Sequence, residues 1–219
     1  MIKDGRIENE RLFAPSNNDY NHFLKVNAEI VAPWKPKEDT FFLRNSTPFL
    51  MALPLLPGYE TSRNVFMHPY LKFSRAQKFS RFVFAFPACI ALSGVTAVTQ
   101  EYFVKKDILL GMTACPLCVQ TRSMSLALLT TVAIPSIFCG VAAAGYAKME
   151  TKKDISFTQI LRNSFKASYP LLGLYSFTAL CASFYITYEM QNEWRNISDI
   201  LSERESAAKV DQKIQKKND

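Results

Sequence analysis

The sequence predicts an all-α protein: a polytopic bundle of membrane-spanning helices with a polar arm at each end. Three observations predict it. Apolar residues come in blocks long enough to cross hydrocarbon, not at the 3.6- or 2-residue period of a soluble core. Residues 1–40 and 189–219 are polar and charged, while residues 82–188 hold nearly all the long apolar runs. Basic residues gather in the short connections between blocks, which is the pattern of membrane topology. The chain has 219 residues, a length that fits one domain. Its net charge of +7 makes no stripe on one soluble face, so nucleic acid is excluded as a partner.

Residues 1–40 read as a peripheral arm with one short helix around Tyr20–Ile30, stopped by Ala32-Pro33-Trp34-Lys35-Pro36. The arm has no apolar run like that of a signal peptide. Its six basic residues are outweighed by seven acidic ones, unlike a transit peptide, so a mitochondrial location would require import by internal signals. The transmembrane domain is expected over residues 41–188. Its first block, Ser46–Tyr59, follows Arg44 and carries Pro48, Pro54 and Pro57. It predicts a short, kinked crossing over about residues 44–60, or a re-entrant segment. Three full spans follow at 82–104, 124–147 and 169–188. Pro87 sits early in the first and Pro135 in the middle of the second; Tyr169, Tyr185 and Tyr188 bracket the third as an aromatic belt. Residues 189–219 predict a polar tail, helical to about Val210 and disordered beyond, where lysines accumulate.

Charge sets orientation. Residues 59–82 and 148–167 hold five Lys and Arg each, and residues 105–123 hold three. With four crossings the two richer connections share one side; both termini and the 105–123 loop share the other.

One run is chemically suggestive: Thr113-Ala114-Cys115-Pro116-Leu117-Cys118-Val119-Gln120-Thr121-Arg122-Ser123. Pro116 suits a first helical position, which puts Cys115 near the N-cap and Cys118 one turn along. The positive end of the helix dipole favours a thiolate there, and Arg122 adds a fixed charge at the interface. Two readings stay open: thiol–disulfide chemistry, or a structural disulfide or spectator thiols in an oxidising compartment. Cys89, Cys139 and Cys181 lie within apolar blocks and read as small hydrophobes. Zinc is not expected, because one C-x-x-C supplies two ligands and His22 and His68 are distant in sequence. The chain has no phosphate loop, G-x-S-x-G or H-E-x-x-H. Glu101 is the one acid in the three full spans, and it lies beside Lys105 at a helix end. Small residues recur at three- and four-residue spacing: Gly140, Ala143, Ala144 and Ala147 on one helix, and Gly173, Ser176, Ala179 and Ser183 on the next. Such stripes let helices approach closely, inside a bundle or against a partner.

From the loop onward the chain resembles the transmembrane protein 126 family of animal mitochondria. The likeness rests on Cys115-x-x-Cys118-x-x-Thr121-Arg122-Ser123, on the distance to Pro135, on the small-residue run ending at Tyr146, and on Leu161-Arg162-x-Ser164. It covers roughly residues 60–190. It implies a multi-spanning protein of the mitochondrial inner membrane, not an enzyme and needing no cofactor. Such a protein acts in assembly of the membrane arm of respiratory complex I, with membrane-arm subunits and other assembly factors as partners. The basic connections would face the matrix; the C-x-x-C loop and the tail would face the intermembrane space. A permanent accessory subunit of complex I is the neighbouring alternative. The run Ala114–Cys118 followed by Arg122 is also similar to bacterial quinone-linked disulfide oxidases, which are four-helix bundles. Those enzymes exchange with a second cysteine pair in another outward loop. Here the other cysteines lie within helices, which leaves that relay incomplete.

Overall fold

The computed structural model describes residues 19–66, 75–111, 115–151 and 156–218. Every regular element among them is helical. The arm carries α1 (Asp19–Val26), continued by a π-helical turn at Asn27–Val31. A 3₁₀ turn at Lys37–Thr40 leads into α2 (Phe41–Ala52), and α3 (Leu55–Phe66) follows. Next come α4 (Arg75–Gln100), a π turn at Glu101–Lys105 and the single turn α5 (Lys106–Leu109). The helix α6 (Pro116–Ala127) passes through a π turn at Leu128–Ala133 into α7 (Ile134–Thr151). The last helix, α8, runs unbroken from Phe157 to Asn218.

The prolines shape these elements locally. Pro54 falls in the break between α2 and α3, whereas Pro57 sits in the first turn of α3, where a missing N–H costs nothing. Pro135 lacks the N–H that would bond the Thr131 carbonyl, and the π turn at Leu128–Ala133 widens the helix just before it. The Pro33/Pro36 turn leaves carbonyls without helical partners. The Arg44 guanidinium gathers three of them, from Val31, Ala32 and Trp34.

Contacts fix how the elements run past one another. The N-terminus of α2 meets α8 at Glu193, and Thr47 donates to Glu101 at the end of α4. Lower down, Gly58 lies against Cys89 and Cys139, and Gly140 against Thr61 and Phe165. Asn64 donates to Ser168 at 2.8 Å. Finally Val65 and Phe66 pack with Ala143, Ala144, Ala147 and Ile160. So α2–α3, α4, α6–α7 and α8 form four rods that alternate in direction along the chain. At ~1.5 Å per residue, the α2–α3 rod reaches close to 40 Å.

Among the described residues two helices are long and apolar enough to cross a membrane, Pro116–Met149 and Phe157–Arg204. That is fewer than the three full spans and shorter fourth that the sequence predicts. The 82–104 block begins among residues whose side chains lie outside the description. Residues 41–66 are two helices of 12 residues each, not one. The tail also differs from expectation: α8 continues through the lysine-rich end to Asn218. The side chains of the basic residues Lys72, Arg75, Lys78 and Arg81, and of His22 and His68, lie outside the described set.

Apolar cores sit at the two ends of the bundle. One joins α1 to α2, α5, the start of α6 and residues 186–197 of α8, through Phe23, Leu43, Leu109, Val119 and Ile197. The other is the smaller cluster around Val65 and Ala144. Between them the interior is polar or small: Ser93, Thr96, Gln100, Ser123, Thr131 and Ser183 are buried. Glu60 is also buried and pairs with Arg63 at 3.3 Å. Large apolar side chains point outward instead, among them Ile137, Phe138, Leu174, Phe177 and Phe184.

Candidate functional site

The C-x-x-C site is built by a stop and a start. Gly111, with φ +60°, takes the left-handed conformation that ends the helical run after α5, and its N–H bonds the Ile108 carbonyl. Cys115 then sits extended at the N-cap of α6, with Pro116 at the first helical position. The Cys115 Sγ accepts from the Cys118 backbone N–H at 3.3 Å, so the thiol caps its own helix. Both cysteines are free and exposed. The Cys118 thiol, and after it the Cys118 backbone N–H, hold the Cys115 thiol below the usual range. The arrangement suits a reactive dithiol, with Cys115 as the readier nucleophile.

Arg122 pairs with the Asp107 carboxylate and donates to the Phe103 carbonyl, tying α6 to the segment that precedes the loop. Below the cysteines, Gln191 of α8 donates to the Pro116 carbonyl at 3.1 Å and accepts from Gln120 at 3.2 Å. One layer further in, the Ser123 hydroxyl bonds Ser183 and Thr187, each at 2.7 Å, and Gln100 at 3.3 Å. This buried network ties α4, α6 and α8 beneath the site. The arm, the C-x-x-C helix start and the 186–197 stretch of α8 therefore meet at one end of the bundle.

The small-residue stripes divide. Gly140, Ala143, Ala144 and Ala147 face inward. On α8, Ala179 and Ser183 are buried, and Ser176 is half-buried with its hydroxyl on the Leu172 carbonyl. Gly173 is exposed, and a Cβ placed on it would meet nothing within 4 Å. Glu101 accepts from Thr47 at 2.7 Å and pairs with Lys105 at 3.4 Å, so its charge is answered within the protein. Among the described residues no group of three or more His, Cys, Asp or Glu is placed to hold a metal ion.

Sequence reasoning missed a second thiol pair. Cys89 on α4 and Cys139 on α7 are buried with their sulfurs 3.3 Å apart. They lie in separate blocks, and no local motif announces such a meeting. Comparison with known protein families, curated proteins and solved structures finds no match for the chain.

Proposed function

We propose that this chain is a four-crossing scaffold of the mitochondrial inner membrane that acts in assembly of the membrane arm of respiratory complex I, with no turnover of its own. The observation that carries the membrane part is the inverted polarity of the bundle. Hydroxyls and amides fill the middle of the interior, while Phe138, Leu174, Phe177 and Phe184 point outward. In the apolar stretch of α8 only 22% is buried inside the protein. A soluble fold would bury that surface, whose transfer from water is worth ~25 cal/mol per Å². A protein in hydrocarbon satisfies its polar groups internally and turns apolar side chains to lipid.

The third span, 82–104, and the fourth, residues 41–66, are proposed as crossings because each rod packs in the same bundle as the two long apolar helices and runs opposite to the rod that follows it in the chain. The complex I assignment draws its support from the family likeness of residues 60–190. In this reading the inward stripe around Gly140 closes the scaffold itself. The outward face of α8 at Gly173 is left for newly inserted subunits. The basic connections 59–82 and 148–167 face the matrix; the C-x-x-C loop and the tail face the intermembrane space.

A second reading, membrane thiol–disulfide oxidoreductase, is favoured by one observation: Cys115 and Cys118 are free, exposed and at a helix start. The test is a native-gel separation of mitochondria lacking the protein, with the wild type or a Cys115→Ser/Cys118→Ser variant added back at equal level. Stalled membrane-arm subassemblies rescued by both chains are the expected result. Rescue by wild type alone would move thiol chemistry to the front, and unaffected complex I throughout would overturn the assembly role. Presence of the protein in the mature enzyme would mark it as an accessory subunit.

A further inference from the structure

The buried thiols have no part in the scaffold reading, and their placement is specific. Cys89 and Cys139 are 50 positions apart in sequence and sit on different rods, with Sγ atoms 3.3 Å apart. A third rod presses on the same point. A Cβ on Gly58 would lie 2.9 Å from the Cys89 sulfur and 3.2 Å from that of Cys139. Thus α3 carries its smallest residue where a side chain would drive the two sulfurs apart. The neighbouring Ser93 hydroxyl is turned to the Cys89 carbonyl, not to either thiol.

We propose that Cys89 and Cys139 are an oxidation site that closes to an interhelical disulfide and staples α4 to α7, with hydrogen peroxide as the two-electron acceptor. One sulfur, giving up its proton, attacks a peroxide oxygen; the O–O bond breaks, and the departing hydroxide takes that proton to leave as water. The second sulfur attacks the resulting sulfenic sulfur, the S–S bond forms as the S–O bond breaks, and the second thiol proton leaves with the hydroxyl as water. Two thiols and one peroxide thus give one disulfide and two waters. A disulfide needs its sulfurs at roughly 2.0 Å, so closure requires a shift on the order of 1 Å and no separation of the rods. Peroxide is neutral and close to water in size, which suits a site closed to larger reagents. For the same reason the bond, once formed, resists a bulky or charged reductant that opens a Cys115–Cys118 disulfide at the exposed helix start. The inference depends on the packing of α3, α4 and α7 and not on the complex I assignment.

The test uses the full chain in lipid vesicles with Cys115, Cys118 and Cys181 replaced by Ser. Samples are exposed to hydrogen peroxide, quenched, denatured, and alkylated with a maleimide–polyethylene glycol that slows migration by one step per free thiol. Both steps are expected to vanish together and to return when reductant is added after denaturation. Peptides around Cys89 and Cys139 should be joined in the non-reduced digest. Adding Cys89→Ser to that background should leave Cys139 unable to form the intrachain link. Peptide mapping of the peroxide-treated wild-type chain gives the same readout should the substituted chain fail to fold. Two thiols still alkylated after peroxide, thiols lost only as sulfinic acid, or a link formed only between chains would each overturn the proposal.

Discussion

Gly140 and Gly173 look alike as single residues, each within a stripe of small side chains on an apolar helix. They occupy opposite environments. A Cβ on Gly140 would come 3.0 Å from Thr61 Cγ2 and 3.5 Å from the Phe165 ring, whereas one on Gly173 would meet nothing within 4 Å. Gly140→Leu should therefore overpack the contact of α7 with α3 and α8 and destabilise the bundle by about 1–3 kcal/mol. Gly173→Leu should change stability by no more than about 0.5 kcal/mol, as surface substitutions do. Thermal unfolding of both variants in detergent decides the matter; equal losses would show that α8 does not present Gly173 outward. The stripes were legible in the sequence, but their inward face was not. In a helix that is apolar all round, hydrophobic periodicity carries no mark of the packed side. The same limit hid Cys89 and Cys139, whose partnership depends on two rods meeting. Cys115 was legible because its chemistry is local: a proline follows, a helix starts, and the backbone N–H of Cys118 is three residues away.

At the scale of elements, the informative case is the start of α2. Thr40, at its N-cap, makes no side-chain capping bond to the helix. The orphan N–H groups of Phe42 and Leu43 are instead bonded by the two carboxylate oxygens of Glu193, each at 2.8 Å, from the far end of the chain. One buried side chain of α8 thus caps α2 and fixes where residues 41–66 enter the bundle. Glu193→Ala leaves the buried Leu43 N–H and the half-buried Phe42 N–H without their acceptor, a loss of about 1–3 kcal/mol. Hydrogen exchange should rise over α1, the 27–40 turns and the first turn of α2, with little change around Ser123 and Ser183. Glu193→Gln keeps one acceptor and should show a smaller rise. Uniform exchange behaviour in wild type and Glu193→Ala would mean that α2 is held by its apolar contacts alone. Nothing in residues 36–43 predicts this cap, since it arrives from about 150 positions away. Of the three prolines in residues 46–59, Pro48 lies inside α2, Pro57 sits harmlessly in the first turn of α3, and only Pro54 coincides with a break. The tail shows the converse: its alternating charges read as a short surface helix, yet α8 propagates through them from a long packed segment, which removes the cost of a new nucleus.

For the whole molecule, the arrangement of ends is the strongest consequence of the bundle. The four rods bring residues 23–43, 104–110, 119 and 186–201 to one end, and residues 65, 66, 143–147 and 157–161 to the other. With four crossings assumed, charge counting puts the connections 59–82 and 148–167, which hold five Lys and Arg each, on one side of a membrane. Sidedness is therefore a test of the fold and of the membrane reading together. Cysteines are placed one at a time, in a chain otherwise lacking them, at Lys35, at Cys115 itself, at Lys148 and at Arg195, all exposed positions. In sealed membrane vesicles that carry the protein, a maleimide that cannot cross the bilayer should reach the sites at Lys35, Cys115 and Arg195 from one side only. The site at Lys148 should be reached from the opposite side only. If Lys35 alone changes sides, residues 41–66 enter and leave by the same face and the fourth crossing is lost, while the other three rods keep their places. If all four sites label from one side, and carbonate extraction releases the chain, the outward apolar faces are covered by protein and not by lipid. The inverted polarity of the bundle would then mark a subunit of a larger soluble assembly.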